Sequence, residues 1–214
     1  MLFEENSVVV MTGDSVTDCG RNYADSTCSP AALGNGYVQL VHAALAAYCP
    51  ERNILILNRG VSGDTSEQLK ARWQKDVLGE RPDYISIMIG VNDVWRHFDG
   101  TVRQSDFISA EKYRGNYCAL LDAALPQVKG VLVISPCMFD LNRSDPMGRM
   151  VREYADVARA VAKEYGQLYI DVQNGIDSVL QHRASCVYSA DRVHPTLCGH
   201  MVVARAVLDA VTNL

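Results

Sequence analysis

The chain has 214 residues, of which 48% are hydrophobic and 21% are charged, and its formal net charge at pH 7 is −5. This length and composition fit one globular domain and exclude intrinsically disordered chains and fibrous or collagen-like repeats. The acidic balance argues against nucleic acid or an anionic membrane as a partner, and no apolar run approaches the roughly 20 residues that span a bilayer.

Five short runs rich in Val, Ile and Leu lack a strict apolar–polar alternation, which is typical of strands buried on both faces. We predict strands at Ser7–Thr12, Ile54–Asn58, Tyr84–Ile89, Val131–Ser135 and Leu168–Asp171. Longer amphipathic stretches lie between and after these runs. They predict helices at Gly36–Tyr48, Ser66–Val77, Ser105–Leu125, Met147–Tyr165 and Leu197–Val211.

The regular alternation of strands and helices predicts an α/β fold in which helices cover both faces of a parallel sheet. We therefore expect a three-layer α/β/α sandwich formed by a single domain over residues 1–214, with no internal repeat, low-complexity tract or linker. In such a sheet, ligands bind beyond the carboxyl ends of the strands. The residues that follow each strand are therefore the candidates for a functional site.

The cysteines and the N-terminus bear on the cellular compartment. Seven cysteines, an odd number without a CxxC pair, favour reduced thiols and disfavour a disulfide framework or a zinc site. The first residues include Glu4 and Glu5 and no basic segment, and the apolar run Val8–Met11 is too short for the core of a signal peptide. We expect a cytoplasmic protein, unless a leader has been removed.

Polar motifs follow the first three predicted strands, and a fourth precedes the last helix. They are Gly-Asp-Ser ending at Ser15, Ser-Gly-Asp-Thr around Gly63, Gly-Val-Asn-Asp around Asn92, and Asp-Arg-Val-His-Pro with Asp191 and His194. Each motif alone is as typical of a turn or a helix cap. Together they bring a hydroxyl, glycine backbone, an amide and an Asp/His pair to one edge of the sheet. These are the groups of a serine acyl-transfer site.

Chemistry assigns a role to each of these residues. A serine hydroxyl needs a base before it attacks a carbonyl, and a neutral imidazole accepts a proton at physiological pH. We therefore predict Ser15 as the nucleophile and His194 as its base, with Asp191 orienting the imidazole from the same loop. The Ser15 N–H, the Gly63 N–H and the Asn92 amide are the candidate donors for an oxyanion.

With these motifs, the sequence resembles the SGNH hydrolases, also called the GDSL esterases/lipases, over almost the whole chain. The resemblance implies a flavodoxin-like, five-stranded parallel sheet in the order 2-1-3-4-5. It also implies the roles given above to Ser15, Gly63, Asn92, Asp191 and His194, and neither a metal nor an organic cofactor. The segments GDSVTDCGR and GVNDVWRHFDG are similar to those of intracellular bacterial members described as carbohydrate esterases.

Three further residues are candidates for binding the substrate. Trp95 follows Asn92 by three residues, and its indole is suited to stack on a sugar, although packing under a loop is an equal alternative. Met138 and Phe139 lie in the long segment after the fourth strand and are a predicted wall of the site. The alternative is that they cover the sheet. The segment Cys19–Asn35 is interpreted as a lid or a subunit contact.

These observations predict a serine esterase that hydrolyses carboxylic esters through an acyl-enzyme. The resemblance and the lack of a long apolar lid segment favour short acyl groups, chiefly acetyl on a sugar or a similar small alcohol. The alternatives are a thioesterase or lysophospholipase acting on longer acyl chains, an acyltransferase, and a non-catalytic carbohydrate-binding or scaffold protein. The expected partner is a small-molecule ester, with neither nucleic acid nor membrane. Monomer and homo-oligomer both fit the sequence.

Overall fold

The computed structural model describes residues 1–25 and 29–212. Within them, one five-stranded sheet has the order β2-β1-β3-β4-β5, and every neighbouring pair of strands is parallel. The predicted sheet and its order are therefore confirmed. The strands are β1 Val8–Gly13, β2 Leu55–Gly60, β3 Tyr84–Met88, β4 Gly130–Ile134 and β5 Leu168–Ile170.

Helices pack on both faces of this sheet and complete the predicted three layers. On one face, α3, α8 and α9 share an apolar cluster with the sheet, and on the other face α4, α6 and α7 do so. The helices are α1 Ser15–Asp18, α2 Pro30–Leu33, α3 Tyr37–Tyr48, α4 Ser66–Arg72, α5 Val91–Trp95, α6 Ala110–Ala124, α7 Pro146–Glu164, α8 Val172–Leu180 and α9 Leu197–Val211. Among the described residues, no helix has both the length and the apolar character needed to cross a bilayer.

The interior strand β1 shows why the apolar runs do not alternate with polar residues. Side chains of a strand point to opposite faces in turn. Val10 accordingly belongs to the apolar cluster on the α4, α6 and α7 face, whereas Val9 and Met11 belong to the cluster on the other face. Because both faces of β1 are covered, both sets of positions are apolar.

The helices differ from the prediction in two of their boundaries and in their number. The helix expected from Ser105 begins at Ala110, because the Ser109 side chain accepts the Lys112 N–H and caps it. The helix expected over Ser66–Val77 is α-helical only to Arg72 and continues as a short π-helix to Val77. The helices α2, α5 and α8 were not predicted. Asp171 caps α8 by accepting the Asn174 N–H at 3.3 Å, so a residue that we assigned to the fifth strand starts a helix instead.

Part of the Cys19–Asn35 segment lies outside the described residues. Positions 26–28 of this segment are not described, so its interpretation as a lid or a subunit contact stays a prediction. In the described part, Ser29 caps the short helix α2. The six described cysteines, at positions 19, 49, 118, 137, 186 and 198, are free thiols.

The last residue of β2, Gly60, permits a close contact between the sheet and α1. A Cβ atom on Gly60 would lie 2.3 Å from the Asp18 backbone nitrogen. We expect Gly60→Ala to lower the free energy of unfolding by about 1–3 kcal/mol, the usual cost of overpacking. Urea denaturation followed by circular dichroism measures this change.

Gly115→Ala is the matched control, because Gly115 lies within α6 and a Cβ there would meet nothing within 4 Å. Alanine stabilises a helix interior relative to glycine, so this variant should gain about 0.5–1 kcal/mol. Equal stability of the two variants would contradict the tight contact at Gly60.

Candidate active site

Ser15 begins α1 directly after β1. The side chain of the preceding residue, Asp14, accepts the Val16 N–H at 3.0 Å and caps this short helix. The cap fixes the turn between strand and helix, and Ser15 Oγ lies 2.9 Å from Nε2 of His194. Two residues that are 179 positions apart in the sequence are therefore within hydrogen-bonding distance.

His194 and Asp191 form a pair within one loop. His194 Nδ1 lies 2.6 Å from Asp191 Oδ2, and Asp191 Oδ1 accepts the backbone N–H groups of His194 at 2.7 Å and Val193 at 2.9 Å. Although partial burial raises the pKa of Asp191, the hydrogen bonds from the His194 ring and these two N–H groups lower it to about 2. The carboxylate therefore stays ionised at neutral pH and holds the proton on Nδ1, which leaves Nε2 to accept from Ser15.

Gly63 and Asn92 flank the strand that carries Ser15. Gly63 follows β2 and Asn92 lies in α5 after β3, and β2 and β3 are the two neighbours of β1. Asn92 is 3% exposed, and its Nδ2 donates to the Asp64 carbonyl oxygen at 3.0 Å, which leaves its second hydrogen free. Among the described residues, the N–H groups of Ser15 and Gly63 have no hydrogen-bond acceptor. In the described part of the chain, each of the three predicted oxyanion donors thus keeps a hydrogen that has no acceptor.

The guanidinium of Arg72 ties these loops to the sheet. Its Nε lies 2.6 Å from Asp64 Oδ2, its Nη1 donates to the Arg59 carbonyl at 2.8 Å, and its Nη2 donates to the Gly13 carbonyl at 3.1 Å. One cation therefore joins the ends of β1 and β2 to the loop that holds the Asn92 amide. Arg72 was not among the predicted site residues, and the sequence signal for its contact was only its position eight residues after Asp64.

Asp18 and Asn58 brace the loops from the other side. Asp18 Oδ2 accepts the Ser62 hydroxyl at 2.5 Å and the Ser62 N–H at 3.1 Å. Asn58 Nδ2 donates to the carbonyl oxygens of Thr17 at 2.7 Å and Leu33 at 2.8 Å. Both side chains are buried, so α1 and the loop that precedes Gly63 are held in a fixed relation.

Asp93 fixes the start of α4 against α5. Its carboxylate accepts the Ser66 N–H at 2.9 Å and also the Ser66 hydroxyl, which in turn accepts from Asn116 Nδ2 at 2.9 Å. Asp93 is fully buried, and this burial raises its pKa to about 6 in spite of the hydrogen bonds from Ser66. Asp93 thus supports Asn92 through the backbone and does not face the solvent.

Asp14 is a second buried carboxyl group at the site. Burial raises the pKa of Asp14 to about 7, against the opposing hydrogen bond from the Val16 N–H, and the nearby carboxylates of Asp93 and Asp64 raise it further. Desolvation disfavours the charged form of a carboxyl group. Asp14 is therefore close to half protonated at neutral pH.

The predicted substrate-binding residues separate into two groups. The Trp95 ring is partly exposed and its centroid lies 5.6 Å from that of the His194 ring, so it borders the site. Met138 and Phe139 are 2% and 0% exposed, and each packs in one of the two core clusters. The prediction that these two side chains form a wall of the site is wrong: they cover the sheet, because the backbone after β4 continues along the core before it reaches the surface.

The comparisons with known sequences agree with this geometry. Residues 11–202 match the profile of the GDSL-like Lipase/Acylhydrolase family. An acetylxylan esterase of Geobacillus stearothermophilus is 40% identical over 200 residues, which are 94% of this chain and 91% of that protein. The resemblance stated from the motifs is thereby confirmed.

Solved structures are similar over nearly the full length. An alpha/beta hydrolase enzyme from the metagenome of Lake Arreo, Spain, is 41% identical with a TM-score of 0.95, covering 98% of this chain and 96% of that one. The Geobacillus stearothermophilus acetylxylan esterase is 37% identical with a TM-score of 0.94, covering 99% and 96%. Further similar structures are of catalytic mutants of that esterase, in which a serine, an aspartate or a histidine is replaced by alanine.

The raised pKa of Asp14 predicts how stability depends on pH. Below about pH 4 the group is protonated in both states, whereas between about 4 and 7 the unfolded chain releases a proton that the folded chain retains. Stability from this group therefore falls as pH rises. Asp14→Asn keeps an acceptor for the Val16 N–H and removes the titratable group. As pH rises, the free energy of unfolding of this variant should therefore fall less steeply than that of the wild type. The two slopes should differ by up to about 1.4 kcal/mol per pH unit.

Urea denaturation at several values between pH 4 and pH 8 measures the two slopes. Asp209→Asn, which removes an exposed carboxylate, is the matched control and should parallel the wild type. If the stability of the wild type and of Asp14→Asn changed in parallel with pH, burial would not raise the pKa of Asp14.

Proposed function

The chain belongs to the GDSL-like lipase/acylhydrolase family and is a carboxylic ester hydrolase, and on that premise we propose that it removes acetyl groups from carbohydrates through an acyl-enzyme on Ser15. One observation carries this proposal: an unbroken chain of hydrogen bonds runs from Ser15 Oγ through the His194 ring to the Asp191 carboxylate, with distances of 2.9 and 2.6 Å.

In the first half of the reaction, Ser15 Oγ attacks the ester carbonyl carbon while His194 Nε2 takes the hydroxyl proton. The carbonyl π bond opens, and its electron pair becomes an oxyanion that the Ser15 N–H, the Gly63 N–H and the Asn92 amide stabilise. The Asp191 carboxylate stabilises the imidazolium. Collapse of this intermediate breaks the bond to the alcohol oxygen, which leaves with the proton from Nε2.

The second half releases the acid and restores the enzyme. His194 Nε2 takes a proton from water as the water oxygen attacks the acyl-enzyme carbonyl, and the same three donors hold the second oxyanion. The ester bond to Ser15 Oγ then breaks, and Oγ recovers its proton from Nε2. Ser15 thus splits one displacement into two easier ones.

The acetyl–carbohydrate assignment is supported by the relatives and by the walls of the site. The similar Geobacillus stearothermophilus protein is an acetylxylan esterase. Trp95 stands beside the imidazole that protonates the leaving alcohol, and an indole packs well on a sugar ring. Met138 and Phe139 are buried in the core and offer no surface to a long acyl chain. A short acyl group on a sugar fits these surroundings better than a fatty acyl group.

Acetate release from acetylated xylo-oligosaccharides tests the function. We expect the wild type to release acetate and to hydrolyse p-nitrophenyl acetate faster than the octanoate and palmitate esters. Ser15→Ala should abolish both activities. A maximum at eight carbons or more would favour the thioesterase or lysophospholipase alternative, and activity that survives in Ser15→Ala would contradict the nucleophile.

Asn92→Ala tests the oxyanion donors. Loss of one such donor lowers kcat by roughly 10²- to 10³-fold, because it weakens the transition state more than the bound substrate. We expect a loss of that size in kcat with p-nitrophenyl acetate and a smaller change in KM. Asn174→Ala, an exposed asparagine on α8, is the matched control. A kcat near that of the control would remove Asn92 from the reaction.

A further inference from the structure

Tyr23 is an aromatic ring fixed at the surface beside Gly63. Its hydroxyl donates to Asp18 Oδ2 at 2.5 Å and accepts from the Ser62 N–H at 3.4 Å. Partial burial and the hydrogen bond to Asp18 raise the pKa of Tyr23, so the phenol remains a donor at neutral pH. Since Ser62 directly precedes Gly63, the phenol oxygen lies next to the loop that carries an oxyanion donor.

Arg21 covers one face of this ring. Its guanidinium carbon lies 4.0 Å from the ring centroid of Tyr23, and its Nε donates to the Gly60 carbonyl at 2.7 Å. Arg21 is itself buried, so the cation behind the ring is held by the sheet. Tyr23 is nevertheless 57% exposed. The ring therefore presents its other face to the solvent in a fixed orientation.

Tyr48 shows what an ordinary surface tyrosine looks like in this protein. It is 69% exposed, and in the described part of the chain neither a hydrogen bond nor a ring contact holds it. Single exposed apolar groups of this kind are common and need no function. Tyr23 differs because two hydrogen bonds and a stacked guanidinium immobilise a ring that remains mostly open to solvent.

We infer that the open face of Tyr23 is a binding platform for a pyranose ring of the carbohydrate, next to the sugar that carries the ester. The inference rests on the proposed function. A pyranose has a flat face of C–H groups, which packs on an aromatic ring while its hydroxyl groups stay in water. A ring that is already immobilised loses little conformational entropy on binding. Trp95 borders the site beside His194, and Tyr23 borders it beside Gly63, so an oligosaccharide that crosses the site meets both.

A polar cleft of about 370 Å³ also borders Gly63 and is the competing place for the second sugar. Arg96, Asp106 and Lys112 are among the residues that line it, and its lining includes no aromatic side chain. A sugar there would be held by hydrogen bonds and aliphatic contacts, without an aromatic ring to stack on. Asp106→Ala tests this cleft without touching Tyr23.

The experiment compares kcat/KM for acetylated xylotriose, acetylated xylose and p-nitrophenyl acetate in the wild type and the Tyr23→Ala, Tyr23→Phe, Asp106→Ala and Tyr48→Ala variants. For Tyr23→Ala we expect the ratio of the xylotriose ester to p-nitrophenyl acetate to fall by roughly 5- to 10-fold, mainly through KM, as for the loss of one stacked ring. Tyr23→Phe keeps the ring and its stack on Arg21 but loses both hydrogen bonds, so its ratio should fall less than that of Tyr23→Ala. Tyr48→Ala should match the wild type.

Binding without turnover gives a second readout. Calorimetric titration of acetylated xylotriose into Ser15→Ala and into the Ser15→Ala/Tyr23→Ala double variant should show a roughly 5- to 10-fold higher Kd for the double variant. This measurement holds even where a substitution at Tyr23 alters the rate of the chemical step.

Each other outcome has a definite meaning. An unchanged ratio in Tyr23→Ala, or a parallel loss on all three substrates, would overturn the platform while deacetylation of the sugars by the wild type upholds the proposed function. A lower ratio in Asp106→Ala instead would place the second sugar in the polar cleft. If the wild type hydrolyses p-nitrophenyl acetate but neither sugar ester, the proposed function fails, and the platform fails with it.

Discussion

The arrangement of the site depends on one guanidinium. Arg72 joins the carbonyl groups at the ends of β1 and β2 to the carboxylate of Asp64, and the carbonyl of Asp64 in turn holds the Asn92 amide. A carbonyl oxygen accepts two hydrogen bonds, and the planar guanidinium of the half-buried Arg72 donates to both of these carbonyls at once. The loops that carry Ser15, Gly63 and Asn92 are thereby tied to one point on the sheet, and this contact fixes their mutual positions.

The same region carries buried carboxyl groups that oppose folding at neutral pH. Burial raises the pKa of both Asp14 and Asp93, to about 7 and about 6. Each accepts backbone N–H groups that begin a helix at the site, Val16 in one case and Ser66 in the other. These caps set the direction of α1 and α4. Burial of these two carboxyl groups thus lowers stability at the positions that fix Ser15 and the start of α4, as is common at functional sites.

Much of this architecture could be predicted from the sequence, and the exceptions have physical causes. The strands follow from apolar runs, and the residues Ser15, Asp191 and His194 follow from motifs whose chemistry is local. Met138 and Phe139 were misplaced because a sequence does not show whether an apolar residue after a strand turns outward or stays in the core. Arg72 was missed because its contacts join segments that are up to 60 residues apart.

The Asp191–His194 pair is held within its own loop, whereas its partner Ser15 lies 179 residues earlier. Ser15 therefore leaves the ribosome 179 residues before His194 does. Ser15, the loops of Gly63 and Asn92 and the five strands of the sheet all precede His194 along the chain. A nascent chain can thus form its sheet before the loop of Asp191 and His194 has been synthesised, and the contact between His194 and Ser15 then requires this loop to dock on the finished sheet.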